Sequence, residues 1–118
     1  MASNDLLMWE TQLRKGSLVL AILAVLSSER RYGLEILKEL EKVGGLSVPE
    51  GTIYPLLNRL SSEGLVDSEW VASPAGHPRK YYKLTHSGRA QLRRMAASWS
   101  LFTASIDALL KPVVTGVK

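Results

Sequence analysis

The sequence has no cysteine, one phenylalanine and two histidines among its 118 residues. Without cysteine it has neither a disulfide framework nor a thiolate metal site, which is compatible with a reducing compartment. The longest apolar run, Leu18 to Leu26, has about half the length that a membrane-spanning helix needs. The first residues lack the charged start and cleavage site of a signal peptide. We therefore expect a soluble, cytoplasmic protein without a membrane partner.

The residue patterns of a catalytic site are also missing. His77 and His86 stand in a turn and at a helix start, with no acid at the spacing of a dyad or a metal site. There is no nucleophile elbow, no glycine-rich phosphate loop and no HExxH motif. We predict that the protein is not an enzyme and that it uses no cofactor and no metal.

Acidic residues are scarce in the second part of the chain. Residues 1–70 carry seven Lys/Arg and ten Asp/Glu, a net charge of −3, whereas residues 71–118 carry eight Lys/Arg and one acid, a net charge of +7. A basic segment beside a mildly acidic one favours a polyanionic partner. A solvated basic helix without a partner would give the same balance. The length suits one domain with one modest core.

Hydrophobic spacing predicts the order helix, helix, helix, helix, β-hairpin, long helix. Gly16 is expected to interrupt the pattern between an amphipathic helix at residues 5–13 and an apolar helix at residues 17–26. Gly44 and Gly45 end the next helix. The buried face of that helix is predicted to carry Leu34, Leu37 and Leu40.

The stretch VPEGTIYPLLNRLSSEGLV, residues 48–66, predicts the fourth helix. Pro49 suits a first turn, where no N–H donor is required, and Pro55 predicts an irregular or kinked first turn. Gly64 closes the helix. The buried stripe is expected to comprise Ile53, Leu56, Leu57 and Leu60. The exposed side is expected to comprise Gly51, Pro55, Asn58 and Ser62, with Tyr54 on one flank and Thr52 and Arg59 on the other.

Residues 65–71 and 79–84 alternate in polarity and predict two strands joined by the turn-forming stretch ASPAGHP. The inner face of this hairpin is predicted to carry Val66, Ser68, Trp70 and Tyr82. Thr85 suits the N-cap of a last helix that runs to Leu110 and is ended by Pro112.

Two helices joined by a glycine turn and followed by a hairpin constitute a helix-turn-helix with a wing. We predict a mainly α protein with a small β-hairpin. Residues 1–84 are expected to form a winged helix-turn-helix domain that includes an N-terminal helix. Residues 85–112 are expected to form a dimerisation helix, followed by a frayed tail at 113–118. In DNA-binding versions of this arrangement, the second helix of the pair enters the major groove.

The last helix has apolar residues at the 3,4 spacing of an a/d seam. An exposed Trp and Phe on that seam would form an unfavourable patch on a small monomer, so we predict a homodimer. Leu6, Met8, Trp9 and Leu13 of the first helix could pack against the seam. The predicted dimer interface comprises Leu6, Leu92, Met95, Trp99, Phe102, Ile106 and Leu109.

Three stretches, RKGSLVLAILAVLSSERRYGLEILKEL, GTIYPLLNRLSSEGLV and HPRKYYKLTHSGRAQL, resemble the PadR family of bacterial transcriptional regulators in order and spacing. The single helix after the wing is similar to the compact branch of that family, which includes a multidrug-responsive repressor. The resemblance implies a homodimeric winged-helix repressor that binds double-stranded DNA at inverted repeats of the ATGT…ACAT kind. It also implies release by a small hydrophobic or aromatic ligand, such as a phenolic acid or a drug.

The helix and the wing together supply the candidate DNA contacts. Tyr54 suits a phosphate or base-edge contact, with core packing as the alternative, and Asn58 suits either adenine or solvent. His77 stands where wings of the family often have Arg or Lys. The predicted DNA-binding residues are Thr52, Tyr54, Asn58, Arg59, His77, Arg79 and Lys80.

In compact members of the family, a pore between the subunits holds flat ligands against an aromatic residue of the last helix, and Trp99 matches that position. The alternative is that Trp99 only packs the dimer. The predicted ligand-binding residues are Trp99, Leu13 and Trp9.

A winged-helix protein–protein assembly module that does not bind specific DNA remains the competing function. Arg79 and Lys80 at the wing argue against it, because an assembly module does not need them.

Overall fold

The computed structural model describes residues 3–74 and 76–116 of the chain. Ala75 of the predicted turn and residues 117–118 of the predicted tail lie outside this range. In chain order the helices and strands are α1 (Ser3–Val25), β1 (Arg31–Tyr32), α2 (Gly33–Lys42), α3 (Glu50–Ser62), β2 (Val66–Val71), β3 (Arg79–Leu84) and α4 (His86–Thr115). The predicted class, mainly α with a winged helix-turn-helix, is confirmed.

One continuous helix, α1, occupies the N-terminal region where two helices were predicted. Gly16 does not interrupt it. A mid-helix glycine costs about 1 kcal/mol relative to alanine, and that cost is small beside the packing of the second half of α1. There Leu18, Ile22 and Leu23 are buried in the core.

Residues of α1, α2, α3, β2 and β3 form a single core. In α2 the prediction for Leu34 was wrong, because its side chain is 40% exposed while Ile36 is buried. In α3 the predicted stripe is confirmed, with Leu56 partly buried at its edge. The buried apolar residues are Leu18, Ile22, Leu23, Leu26, Ile36, Leu37, Leu40, Ile53, Leu57, Leu60, Val66, Tyr82 and Leu84.

α3 is unbroken from Glu50 to Ser62 although Pro55 lies inside it. The first turn closes through a hydrogen bond of 3.0 Å from the Thr52 N–H to the Pro49 carbonyl. Pro49 is the N-cap rather than part of the first turn. Gly64 follows the helix with a φ of +76°, which favours glycine, and directs the chain into β2.

The sheet has three antiparallel strands in the order β1-β3-β2. The hairpin of β2 and β3 was predicted, whereas β1 was not, because two residues are too few to show an alternating pattern. On β2 only Val66 is buried. Ser68 and Trp70 lie on the same face as Val66, as the alternation predicts, but the core does not cover them: both are exposed, and Trp70 is 68% exposed. The strand extends beyond the helices that cover its base.

α4 is anchored at its first turn. The Thr85 hydroxyl accepts a hydrogen bond from the Gly88 N–H at 2.9 Å, which confirms the predicted N-cap, and donates one to the Gly64 carbonyl at 2.6 Å. A Cβ on Gly88 would lie only 2.0 Å from the Leu65 carbonyl oxygen, so only glycine permits this close approach.

The other end of α4 projects away from the core, and the molecule is accordingly elongated, 59 Å along its longest axis. Pro112 does not end the helix, which continues to Thr115 and is followed by Gly116 with a φ of +77°. A proline in the last turn removes one hydrogen bond and leaves the remaining residues free to stay helical. Within the two described ranges, none of the helices combines the length and apolarity that crossing a membrane requires.

Candidate nucleic-acid interface

The outer side of α3 is a polar surface backed by the core. Ile53, Leu57 and Leu60 are fully buried on the inner side and fix the orientation of the helix. The residues that α3 exposes are Glu50, Gly51, Thr52, Tyr54, Pro55, Asn58, Arg59 and Ser62. All four predicted DNA-binding residues of this helix are therefore on one accessible surface.

Tyr54 supports the fold and is accessible at the same time. Its side chain is 40% exposed, yet a Cβ added to Gly33 would lie 2.4 Å from the Tyr54 Cε1 atom. Gly33 thus lets the ring pack directly on the start of α2. Burial, and then the nearby Glu50 carboxylate, raises the pKa of the Tyr54 hydroxyl. Tyr54 therefore remains a neutral hydrogen-bonding group at physiological pH.

Thr52 and Arg59 lie beside a shallow depression between α1 and α3. Lys15 of α1 lines the same depression, although its spacing in the sequence did not single it out. The Arg59 guanidinium lies 3.9 Å from the Glu63 carboxylate, and both side chains are exposed. Such a pair contributes little to stability, so the arginine is available to another anion.

Arg79 and Lys80, the predicted wing cations, lie on opposite faces of the sheet. Strand register pairs Lys80 with Trp70 and Arg79 with Val71, and successive side chains of a strand point to opposite faces. Lys80 shares its face with the buried Tyr82, two residues further along β3. Near its tip the wing therefore presents Lys80 on one face and Arg79 on the other.

The outer face of the sheet is a stack of rings and cations. The Arg79 guanidinium carbon lies 4.6 Å from the Tyr32 ring centroid, and the Tyr32 and Tyr81 rings meet edge to face at 5.4 Å. Arg30 lies 5.0 Å from the Tyr81 ring and pairs with Glu69. These contacts place the Arg79 guanidinium over the Tyr32 ring. Sequence reasoning missed this cluster because it depends on β1.

The predicted residue His77 and the arginines at the start of α4 lie apart from α3 and from the rings of the sheet. His77 is exposed in the turn between β2 and β3. Arg89, at the start of α4, donates a hydrogen bond of 3.0 Å to the Ser27 carbonyl in the turn after α1, so its role includes holding the start of α4 to that turn. Arg93 and Arg94 are exposed.

Trp99 lies between two adjoining apolar depressions, one enclosed by α1 and α4 and one by α1 and the α2–α3 turn. Leu13 and Trp99 line both of them, so the structure brings these two predicted residues together. Trp9 lines neither. Gly44, Gly45 and Leu46 of the turn that leads into α3 line the second depression, and no sequence signal had linked them to Trp99.

The predicted seam on α4 divides into two parts. Leu92 and Met95 pack partly against the core of their own chain. From Trp99 onward the apolar side chains are exposed, among them Phe102 at 62% and Leu109 at 74%. Val113, beyond Pro112, is 74% exposed and extends the same stripe.

Within residues 3–74 and 76–116 no cluster of His, Cys, Asp or Glu is arranged to hold a metal ion.

A glycine-turn helix pair, a covering sheet and a projecting hairpin with cations on both faces define a winged helix-turn-helix protein. The model of the transcriptional regulator PadR-like family matches residues 22–94. The chain therefore belongs to the PadR-like family of transcriptional regulators, as its motifs indicated. Proteins of this family are regulators rather than enzymes, which agrees with the missing catalytic patterns.

Three relatives illustrate the similarity. A PadR-like transcriptional regulator from Bacillus cereus is 40% identical, with a TM-score of 0.77 over 84% of this chain and 96% of that one. A transcriptional regulator from Mycobacterium tuberculosis is 33% identical over 81 residues, 69% of this chain and 74% of the relative. Bacillus subtilis PadR, solved in complex with operator DNA, is 30% identical, with a TM-score of 0.63 over 67% of this chain and 45% of that one.

Proposed function

We propose that the protein is a homodimeric repressor that binds an inverted-repeat operator and is released from it by a small aromatic ligand. The observation that carries the proposal is the outer surface of α3, where Thr52, Tyr54 and Asn58 are accessible on a helix held rigidly by the core. The structural relative from Bacillus subtilis was solved on operator DNA. An equivalent surface inserted into a major groove suits hydrogen bonding to base edges and phosphates.

The dimer is inferred from the distal half of α4. Its apolar stripe, from Trp99 to Val113, is exposed in the described part of the chain, and a second copy would bury it as an a/d-type interface. The exposed apolar residues Leu6, Leu7 and Trp9 at the start of α1 would add to the same interface. A symmetric dimer also matches the two-fold symmetry of an inverted repeat, whose half-sites lie about 34–36 Å apart.

Fluorescence anisotropy tests the DNA-binding function. A labelled duplex from the region upstream of the protein's own coding sequence is compared with a scrambled duplex at 50 and 200 mM salt. If the dimer neutralises about 6–8 phosphates, affinity should fall roughly 10³–10⁵-fold over this range. Tyr54→Ala should abolish the preference for the upstream duplex. Equal, weak binding to both duplexes would instead favour the assembly module, in which α3 contacts a protein.

The ligand site is assigned to the two depressions at Trp99. Their lining is mostly apolar, and Arg14 is the charged residue among the described residues that line them. A flat aromatic acid fits this combination, since the ring would pack on Trp99 and the acid group would face the guanidinium. Ligand and operator must then weaken each other's binding by the same factor.

The fluorescent aromatic acid 1-anilinonaphthalene-8-sulfonate is a suitable first probe. We expect it to quench tryptophan emission and to release the upstream duplex, with both effects reduced at least about tenfold in Trp99→Ala. Arg14→Gln should weaken binding of this anion more than binding of 1-anilinonaphthalene, its uncharged counterpart. Quenching without release of DNA would contradict the regulatory role of the site.

A further inference from the structure

Trp70 is the most exposed of the three tryptophans, at 68%, compared with 54% for Trp9 and 42% for Trp99. It lies on β2 opposite Lys80, near the tip of the hairpin, where the last pair is Val71 with Arg79. The dimer seam cannot account for it, because α4 begins at the other end of the hairpin, directly after Leu84 and Thr85. A large exposed aromatic side chain so placed requires another explanation.

The position of Trp70 is defined by Lys80. The Lys80 ammonium lies 5.8 Å from the Trp70 ring centroid and 5.9 Å from the Tyr82 ring centroid, so it stands between the two rings. Trp70, Ser68 and Val66 share one face of β2, and their partners Lys80, Tyr82 and Leu84 share the same face of β3. The exposed indole therefore belongs to the face that continues into the core.

This face leads to α3. Burial raises the pKa of the Tyr82 hydroxyl, and the nearby Tyr54 raises it further. Trp70, Lys80, Tyr82 and Tyr54 thus form a row that begins near the wing tip and ends on α3. We call it the inner wing row. In this row Trp70 is exposed, Lys80 is partly buried, Tyr82 is buried and Tyr54 is again exposed on α3.

We propose that Trp70 is a DNA-contacting residue whose indole packs on the deoxyribose-phosphate backbone next to the half-site, with the Lys80 ammonium on the adjacent phosphate. The proposal rests on the proposed function and adds a residue that the family resemblance did not assign. The partner is a nucleic-acid backbone because Lys80 offers a cation beside the apolar ring of Trp70, and the carboxylates of the same strand pair, Asp67 and Glu69, lie on the opposite face. Sugar carbons and phosphate oxygens alternate in the same way.

The indole would act in two ways. It covers apolar carbon atoms of the sugar, and it holds the Lys80 ammonium through a cation–π contact before DNA arrives. A lysine that is already ordered loses less conformational freedom when it binds a phosphate. Arg79 is ordered in a comparable way by Tyr32 on the other face, so both wing cations rest on rings.

The binding test compares Trp70→Ala, Trp70→Phe and wild type on the upstream duplex. Trp70→Ala should bind about five- to tenfold more weakly and Trp70→Phe at most about threefold, because phenylalanine keeps a ring. Since Trp70 is exposed, thermal unfolding should be unchanged. The salt slope should also stay the same in Trp70→Ala, whereas Lys80→Met should lower it by about one per wing. The double variant should lose less than the sum of the single losses.

A direct readout uses the full chain labelled with 5-fluorotryptophan, whose three fluorine resonances are assigned with single Trp→Phe variants. The upstream duplex should shift or broaden the Trp70 resonance more than the resonances of Trp9 and Trp99. An unmoved Trp70 resonance and an unchanged affinity of Trp70→Ala, with wild type still binding specifically, would overturn this proposal alone. Failure of wild type to prefer the upstream duplex would overturn the proposed function as well.

Discussion

Two regions of the molecule differ in how far their apolar side chains are exposed. In the winged-helix part, the stripe of α3 is closed within one chain, and Leu57 is 0% exposed. In the distal half of α4, a stripe with the same helical spacing is open, and Phe102 is 62% exposed. The first stripe stabilises the fold of a single chain, and the second is suited to a second copy. Spacing in the sequence is the same in both cases, so only the topology separates a core from an interface.

The largest effect should come from the closed stripe. Leu57→Ala removes buried methyl groups and leaves a cavity, which should lower the free energy of unfolding by about 3 kcal/mol. Leu56→Ala, at the partly buried neighbouring position, should cost about 1 kcal/mol. Urea unfolding at a fixed protein concentration measures both. Equal losses for the two variants would mean that α3 is not packed as described.

The open stripe should respond in association rather than in folding. Phe102→Glu places a charge in the proposed dimer interface and should raise the dimer dissociation constant by about 100-fold, or about 2.7 kcal/mol. Leu101→Glu is the matched control, because Leu101 is 74% exposed but lies on another side of α4. Sedimentation velocity distinguishes them. A dimer that resists Phe102→Glu, or dissociates equally with Leu101→Glu, would refute the seam.

Gly33→Ala tests how α3 is positioned within the closed region. The added Cβ would meet the Tyr54 ring at 2.4 Å, and the resulting overpacking should cost about 2 kcal/mol. Because the ring must move, affinity for the upstream duplex should fall too. Gly16→Ala meets no atom within 4 Å and should stabilise the protein by about 0.5–1 kcal/mol, since alanine is favoured in a helix. Calorimetry of both variants checks the opposite signs.

The smallest loss of stability is expected from the threonines of α4 and of its N-cap. Thr85→Ala removes the N-cap bond to the Gly88 N–H and the bond to the Gly64 carbonyl, and should cost about 1 kcal/mol. Thr103→Ala, in the distal half of α4, removes only hydrogen bonds to the Trp99 and Ser100 carbonyls of its own helix. Its effect on thermal unfolding should stay within about 0.5 kcal/mol. A larger loss for Thr103 would indicate that the projecting half of α4 is part of the folded core.

The sequence predicted the helix pair, the hairpin and the face of α3 because each has a clear period and glycine or proline at its ends. It failed where a local signal competes with packing. Gly16 lies in a helix whose packing outweighs its propensity, and Pro112 lies where few helical hydrogen bonds remain to be lost. β1 is too short for a period. Alternation placed Trp70 on the correct face but could not show that the wing extends beyond the core.

The candidate site was predicted residue by residue on α3, yet its geometry required the fold. The contact between Gly33 and Tyr54 joins two helices, and the opposite faces taken by Arg79 and Lys80 follow from strand pairing. Neither Lys15 beside Arg59 nor Gly44 beside Trp99 follows from spacing, because each pair is brought together by the packing of different segments.

Hydroxyl-radical footprinting on the upstream region tests most directly whether the winged-helix part contacts DNA while the distal half of α4 pairs two chains. Wild type should protect two symmetric patches about one helical turn, 10–10.5 base pairs, apart. Phe102→Glu should lose both patches at the same concentration, because a single chain holds only one half-site. A single asymmetric patch in wild type, or paired protection that survives Phe102→Glu, would contradict the account.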